Sequence, residues 1–258
     1  MTITAIAIHG AAGRMGKRLV ALASTDSQLK VVAALEHEQH PDLGKDAGLA
    51  CGIMELHVPL AAHLNAKADS LIDFSIPEAA ERILGICVEH KTPLVMATTG
   101  LNERQKEQIS EASVHIPIVW SPSMSLTVNL AMKLVAMAGA ALKDAGGGVD
   151  VEIIERHHRM KEDSPSGTAL KFGEIISGVM GQTMHTHGRE GIVGKRPQHE
   201  IGYHAVRTGD NAGEHTIIFG LLGETLEVSV KASNRDCYAM GALAAAKFVA
   251  KQKPGLYN

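Results

Sequence analysis

Short apolar runs alternate with helical patterns along the first half of the chain. The runs that predict strands are 2–9, 30–35, 70–74, 93–96 and 116–120. The helical patterns between them are 14–23, 78–90 and 102–113. This alternation is typical of βαβ units and predicts a parallel sheet. The segment 38–69 is punctuated by Gly and Pro and shows no sustained period, so it predicts neither helix nor strand.

The pattern changes after an apolar helix predicted at 126–145, where three glycines at 146–148 mark a break. The strands predicted beyond this break are 150–155, 200–207, 215–221 and 224–232. A tight turn at Leu222 and Gly223 joins the last two strands, which favours a mixed or antiparallel sheet. The remaining segments are a helix at 169–180, a mobile loop at 181–199 and a terminal helix at 236–250.

Composition excludes several classes of protein. A chain of 258 residues with 45% hydrophobic content can form one large core or two modest ones. A net charge of -3 and 3% aromatic residues argue against a nucleic-acid partner. The apolar stretch 128–142 contains Lys133 and is shorter than a membrane span, so we expect no membrane partner. Cys51, Cys87 and Cys237 lack CxxC spacing, which favours reduced thiols and a cytoplasmic location.

The first chemical motif is the glycine-rich turn Gly10-Ala11-Ala12-Gly13-Arg14-Met15-Gly16, between the first strand and its helix. Glycines at such a bend have a purely steric explanation, but they also let a pyrophosphate approach the backbone N–H groups. Glu36 ends the second strand 20 residues after Gly16, and an acid at this offset binds the ribose hydroxyls of a dinucleotide. Together they predict a dinucleotide site. Glu36 favours NADH, because a carboxylate repels the 2′-phosphate of NADPH.

Two further turns follow predicted strands at the same edge of the sheet. They are Ala97-Thr98-Thr99-Gly100 and Ser121-Pro122-Ser123-Met124-Ser125. Ligands of open α/β sheets bind outside the carboxyl ends of the strands, so both turns could approach a nicotinamide. Each turn taken alone is more often a plain connection.

These motifs predict an α/β fold with two domains. The first is a Rossmann-type dinucleotide-binding domain over 1–125, to which the C-terminal helix and tail at 236–258 return. The second is an α/β domain over 126–235, built on the mixed or antiparallel sheet, for substrate binding and oligomerisation.

The segment VEIIERHHRMKEDSPSGTAL at 151–170 concentrates the polar chemistry of the second domain. His157 and His158 point to opposite faces of a strand, so they cannot both bind one ion, and we expect no metal site. Ser166-Gly167-Thr168 opens a helix whose N–H groups favour an anion such as a carboxylate. His157 and Lys161 could then donate protons to an acidic substrate. A solvated surface segment is the alternative.

This segment is similar to the HHxxK and PSGTAL signature of the 4-hydroxy-tetrahydrodipicolinate reductase family of lysine and diaminopimelate biosynthesis. Further blocks that match in the family's order are GAAGRMG, IDFS, ATTGL, SPSMSLTVNL, GDNAGEHT and KPGLYN. Together the matches span nearly the whole chain. The resemblance implies a homotetramer that uses NADH, NADPH or both to reduce a small dicarboxylate cyclic imine.

The resemblance also implies roles for particular residues. His157 would be the catalytic acid/base and Lys161 the proton donor, while His158, Ser166, Gly167 and Thr168 would hold the substrate. The cofactor would be lined by Gly10, Ala11, Ala12, Gly13, Arg14, Met15, Glu36, Ala97, Thr98, Thr99, Ser121, Pro122, Ser123 and Met124. An imidazolium and an ammonium would stabilise the charge that develops as hydride arrives.

Three positions depart from the family pattern. His37 stands where arginine is common, Ala97 where glycine is common and Ser123 where asparagine is common. A divergent relative that reduces another cyclic imine therefore remains an alternative. So do an NAD-dependent amino-acid dehydrogenase and a sensor that binds the dinucleotide without catalysis.

Overall fold

Seven parallel strands form the sheet of the first of two units into which the chain divides. The structure is a computed structural model that describes residues 3–258. Unit 1 combines the described residues up to Ser125 with Tyr238–Asn258, and unit 2 is Leu126–Cys237. The sheet order in unit 1 is β12-β6-β5-β4-β1-β2-β3. Its strands are β1 (Thr4–His9), β2 (Leu29–Leu35), β3 (Leu60–Ala61), β4 (Ser70–Asp73), β5 (Leu94–Met96), β6 (Pro117–Trp120) and β12 (Gly255–Tyr257).

Helices cover both faces of this sheet because alternate strand residues point to opposite sides. Ile6 and Ile8 of β1 pack with α1 and α7 on one face, while Ala7 packs with α3 and α4 on the other. The helices of unit 1 are α1 (Arg14–Thr25), α2 (Ala47–Ala50), α3 (Ala80–His90), α4 (Glu103–Ala112) and α7 (Asp236–Val249), whose first two residues belong to unit 2. A 3-10 turn, Pro77–Ala79, precedes α3.

The chain order reverses at β1, which pairs with β2 on one side and β4 on the other. Such a reversal opens a crevice at the carboxyl ends of the strands. The glycine-rich turn after β1 lies at this reversal. The parallel sheet, the mixed second sheet and the α/β fold class predicted from the sequence are confirmed. Thr2, which the sequence placed in the first strand, lies outside the described residues.

Unit 2 contains a five-stranded mixed sheet in the order β11-β10-β7-β9-β8. Its strands are β7 (Asp150–His157), β8 (Met184–His187), β9 (Glu200–Arg207), β10 (Glu214–Leu221) and β11 (Glu224–Lys231). The helices α5 (Leu126–Leu142) and α6 (Gly167–Met180) pack on one face of the sheet. Strands β9 and β7 are parallel, whereas β10 runs antiparallel to both of its neighbours.

Two local predictions were wrong or incomplete. The loop predicted at 181–199 contains β8, whose His185 and His187 stack on Tyr203 of β9. This edge strand lacks apolar alternation because most of it is exposed, so periodicity missed it. The unassigned segment 38–69 is held by Asp46, whose carboxylate accepts four backbone N–H groups, including those of Leu56 and Val58. Because these contacts are polar, they give the segment no hydrophobic periodicity.

Close packing explains two of the glycines in the turn after β1. Gly10 has a φ of 75°, and a Cβ there would lie 2.9 Å from the carbonyl oxygen of Phe74. A Cβ on Gly16 would lie 2.0 Å from the carbonyl oxygen of Gly10. Gly13 is the N-cap of α1 and supplies no side-chain hydrogen bond, so the first N–H groups of this helix stay open to an anion.

We predict that Gly16→Ala lowers the free energy of unfolding by at least about 2 kcal/mol, because the added methyl meets backbone that cannot move aside. Urea unfolding followed by circular dichroism measures this change. The matched control is Gly85→Ala on the exposed face of α3, where nothing lies within 4 Å of the new Cβ. That variant should gain about 0.5–1 kcal/mol. Equal stability of Gly16→Ala and the parent would contradict the packing argument.

Candidate active site

The Glu36 carboxylate lies at the glycine-rich turn of unit 1. It follows β2 directly, and its Oε1 accepts the backbone N–H of Ala12 at 2.6 Å. Its Oε2 lies 3.3 Å from the backbone nitrogen of His37. The acid and the open N-terminus of α1 therefore share one edge of the sheet. A dinucleotide site needs this juxtaposition of an acid with unpaired N–H groups.

A buried polar network joins the ends of β1, β4 and β5. The Asp73 carboxylate is fully buried and accepts hydrogen bonds from three side chains. Its partners are His9 Nδ1 at 2.6 Å, Ser75 Oγ at 2.7 Å and Thr98 Oγ1 at 2.7 Å. Thr98 Oγ1 also accepts the backbone N–H of Ser75 at 3.1 Å. The Thr98 hydroxyl thus has one protein partner as a donor and another as an acceptor.

The other turns predicted to line the cofactor follow β5 and β6. Thr99 and Pro122 are exposed there. Ala97, Ser121, Ser123 and Met124 are buried. Ser123 Oγ accepts the backbone N–H of Ser125 at 3.2 Å, which fixes the shape of the second turn.

In unit 2, the carboxylate of Glu155 collects four donors although the residue is only 1% exposed. Oε2 binds His157 Nδ1 at 2.6 Å and Arg207 Nη1 at 2.8 Å. Oε1 binds Arg207 Nη2 at 2.7 Å and the backbone N–H of Ser166 at 3.0 Å. One buried carboxylate therefore connects β7, β9 and the start of α6.

Ser166 is the N-cap of α6, and both its backbone N–H and its hydroxyl have protein partners. Its Oγ accepts the backbone N–H of Ala169 at 3.2 Å and lies 3.0 Å from Nε2 of His215. The ring of His215 packs edge-on against His157, with centroids 5.2 Å apart. Gly167 and Thr168 occupy the first turn, whose N–H groups lack helical partners.

Lys161 and His158 lie on the turn after β7. Lys161 Nζ pairs with Asp163 at 2.7 Å, and its side chain is 22% exposed. His158 Nε2 lies 3.3 Å from a guanidinium nitrogen of Arg235. Arg207 also donates to the carbonyl oxygen of Asp163 at 2.6 Å, so the turn is tied to the Glu155 network. The site thus carries cations beside a helix N-terminus.

Burial dominates the electrostatics of this network. It lowers the pKa of His157, although the adjacent Glu155 opposes the shift. It also lowers the pKa of His215 to about 4, and the neighbouring His157 adds to this effect. Burial alone would raise the pKa of Glu155, but Arg207 and His157 outweigh it and hold that pKa below its ordinary value. The lowered pKa of His157 favours its neutral form at neutral pH.

The sequence did not identify several of these residues as belonging to the site. Glu155, His215, His9 and Asp73 were not proposed as site residues, and Arg207 was not given a role. The alternation of inward and outward residues along β7 could have identified Glu155. Val151 and Ile153 of β7 face the core, so Glu155 and His157 must face it too. A charged residue at an inward position indicates a built polar network.

Other features of the described residues are plain. Across residues 3–258, no helix is both long and apolar enough to cross a bilayer. No group of three or more His, Cys, Asp or Glu side chains in that range could hold a metal ion. Cys51, Cys87 and Cys237 are free thiols; Cys87 is buried and the other two are half-buried.

Comparison with known families identifies this arrangement. Residues 4–124 match the family profile described as dihydrodipicolinate reductase, N-terminus, and residues 127–258 match the profile described as the C-terminus of the same enzyme. The chain belongs to the dihydrodipicolinate reductase family. A 4-hydroxy-tetrahydrodipicolinate reductase from Rhodopirellula baltica is 54% identical and covers 98% of this chain and 93% of its own length. The reductase of the same name from Syntrophotalea carbinolica is 42% identical, covering 98% and 96%.

Solved structures agree with the family assignment. A dipicolinate-bound dihydrodipicolinate reductase from Paenisporosarcina sp. TG-14 has a TM-score of 0.80 and 25% identity, and the match covers 100% of this chain and 98% of that one. An amine dehydrogenase from Mycobacterium smegmatis has a TM-score of 0.67 at 12% identity, which shows a shared fold alone. The family resemblance seen in the sequence is confirmed, and so is its consequence that the chain is an NAD(P)H-dependent oxidoreductase.

We predict that the lowered pKa of His215 makes the reductase less stable in acid. An unfolded imidazole binds a proton below its ordinary pKa of 6.5, whereas the folded one does so only near 4. The unfolded state therefore binds more protons in this window, and stability falls by about 3 kcal/mol as the pH drops through it. Urea unfolding at a series of pH values measures the slope.

The control for this prediction is His215→Asn, which keeps an acceptor for Ser166 but does not titrate in the window. Its stability should depend less on pH than that of the parent. Identical pH dependence in the two proteins would contradict the assignment.

Proposed function

We propose that the chain reduces 4-hydroxy-tetrahydrodipicolinate, by way of dihydrodipicolinate, to tetrahydrodipicolinate. The single observation that carries this proposal is the position of His157. One ring nitrogen is held by buried Glu155, and the next element along the chain is a helix with open N–H groups. The N–H groups of Gly167 and Thr168 at the start of this helix can bind an anion, and we call them the anion cradle. A proton-transfer group beside this cradle suits a cyclic imine with two carboxylates.

The cofactor residues that we propose are the glycine-rich turn, Glu36 and the two turns after β5 and β6. The turn fits a pyrophosphate because Gly13, the N-cap, has no side chain and leaves the start of α1 uncapped. NAD(P)H supplies the hydride when bound. We assign the ribose hydroxyls to Glu36, whose carboxylate would exchange its bond to Ala12 for bonds to them. Thr98 supports this edge through Asp73 instead of binding the ligand with its hydroxyl.

For the substrate carboxylates we propose the N–H groups of Gly167 and Thr168, together with His158. For Ser166 we propose a structural contribution. Its backbone N–H binds Glu155 and its hydroxyl is shared between Ala169 and His215, so it shapes the cradle and does not contact the ligand.

His157 is proposed as the acid/base. Its neutral ring would accept a proton from the carbon beside the imine as water leaves, and the imidazolium so formed would return a proton there after hydride arrives. Lys161 would protonate the departing hydroxyl so that it leaves as water. After taking a proton back from solvent, its ammonium would stabilise the negative charge that develops toward the ring nitrogen. The ion pair with Asp163 keeps the lysine on the turn beside His157.

We further propose that the enzyme is a cytoplasmic homotetramer with no nucleic-acid or membrane partner. The free cysteines are consistent with a reducing compartment. Helices α5 and α6 cover one face of the unit 2 sheet, and the other face is a natural surface for a second copy. A shallow depression on that face is lined by apolar Ile154 and Ile218 among charged residues that include Arg156 and Glu227.

The assay that tests the proposal follows NADH and NADPH oxidation with and without the cyclic imine generated in situ. We predict oxidation that depends on the imine, and a fall in turnover of roughly 10² to 10⁴ for His157→Ala and for Lys161→Ala. Their affinity for NADH should stay near the parental value, because neither residue belongs to the proposed cofactor site.

Lys171→Ala is the matched control, since Lys171 forms an ordinary surface pair with Glu174 on α6. It should turn over like the parent. Parental turnover in both His157→Ala and Lys161→Ala would remove the proposed proton-transfer roles. Oxidation that ignores the imine would remove the proposed substrate.

We also predict that Glu36→Ala weakens NADH more than NADPH, because the variant loses a ribose ligand and also a charge that repels the 2′-phosphate. Fluorescence titration of each dinucleotide gives the two dissociation constants. Glu38→Ala is the control, since Glu38 is exposed and its nearest cation is Arg82 at 3.4 Å. A larger loss for NADPH than for NADH would refute the ribose assignment.

A further inference from the structure

We propose that Glu155 is a positioning residue that determines which ring nitrogen of His157 carries the proton. This inference rests on the proposed role of His157 as the acid/base. Glu155 contacts His157 directly but is itself only 1% exposed, so it acts through the imidazole.

The hydrogen bonds around Glu155 leave one arrangement for the ring. All four of its close contacts lie at donor positions: two nitrogens of Arg207, the backbone N–H of Ser166 and Nδ1 of His157. An ionised carboxylate can only accept hydrogen bonds, so His157 must carry its proton on Nδ1. The lone pair of the neutral ring is then on Nε2, which makes no hydrogen bond to any residue from 3 to 258.

Arg207 keeps the carboxylate from rotating. It donates to both oxygens of Glu155 at 2.7 and 2.8 Å. This bidentate geometry fixes the orientation of the carboxylate as well as its distance from the guanidinium. Arg207 also donates to the carbonyl of Asp163, whose side chain pairs with Lys161. The orientation of the proposed base and the position of the proposed acid are thus linked through one guanidinium group.

Replacing Glu155 with glutamine should invert this arrangement. An amide nitrogen in place of Oε1 would face two fixed donors, Arg207 Nη2 and the Ser166 N–H. In place of Oε2 it would face one fixed donor, Arg207 Nη1, and the ring of His157, which can switch tautomer and accept. The second orientation loses fewer bonds. Glu155→Gln should therefore move the His157 proton to Nε2 and remove the lone pair from the reactive side.

The pH profile provides a readout that a purely structural role would not move. The groups that face His157 or the cation beside it are Glu155 on its own strand, Arg207 on β9, His215 on β10, and Lys161 with Asp163 on the following turn. Glu155 raises the pKa of His157, whereas Lys161 and Arg207 lower it. Glu155→Gln should thus shift the acid limb of kcat/KM to lower pH.

The experiment compares parent, Glu155→Gln and Glu152→Gln. Glu152 is a matched control because it lies on the same strand and also contacts a histidine, His204, and two arginines, yet it belongs to a separate ion cluster. Histidine-¹⁵N NMR assigns the His157 tautomer above its titration range, with His157→Ala identifying the resonances. Steady-state kinetics across pH gives kcat and kcat/KM for all three proteins.

We expect the Nδ1–H tautomer in the parent and in Glu152→Gln, and the Nε2–H tautomer in Glu155→Gln. Turnover of Glu155→Gln should fall roughly 10²- to 10⁴-fold, the range for a misplaced general base, with NADH affinity unchanged. An Nε2–H tautomer in the parent would overturn the inference even if the variant failed to fold. A switched tautomer with parental turnover would overturn its catalytic meaning.

Failure of the proposed function gives a different result. If His157→Ala keeps parental turnover, the assignment of His157 as acid/base is wrong, whatever its tautomer. If His157→Ala is impaired while Glu155→Gln keeps both the parental tautomer and the parental pH profile, the function stands and the positioning role of Glu155 fails.

Discussion

A carboxylate buried in a protein core costs several kcal/mol unless hydrogen bonds and an opposite charge replace its water. Glu155 meets this requirement inside unit 2, and the arrangement of the site follows from how it does so. Arg207 donates to it from the end of β9, and Ser166, the N-cap of α6, donates its backbone N–H. His157 must turn Nδ1 toward the same carboxylate. The same four bonds that stabilise the charge therefore orient the proposed base and the start of α6.

Unit 1 uses the same principle for a different purpose. Asp73 is buried at the end of β4 and gathers His9, Ser75 and Thr98 from neighbouring strand ends. These bonds stabilise the edge of the sheet where the glycine-rich turn lies, so backbone N–H groups can face an anion without side chains in the way. In both units a polar cluster at the carboxyl ends of strands fixes the local geometry.

Much of this architecture could be predicted from the sequence because hydrophobic period and glycine placement are local signals. Most strands of both sheets, the longer helices and the start of α6 at PSGTAL have such signals, but the short strands β3 and β12 and the short helix α2 were not predicted. Strand β8 has none, since an exposed edge strand needs no apolar alternation. The partners of the Ser166 and Thr98 hydroxyls could not be predicted, because His215 and Asp73 are distant in sequence. The lowered pKa of His157 likewise depends on burial, which a motif does not reveal.

The most direct test of this account is a crystal structure of the protein with NADH and pyridine-2,6-dicarboxylate bound. We expect a carboxylate of the ligand on the N–H groups of Gly167 and Thr168. We also expect Nε2 of His157 to face the ligand ring while Nδ1 stays on Glu155. A dicarboxylate bound away from α6, or a His157 ring turned from it toward solvent, would contradict the central claim.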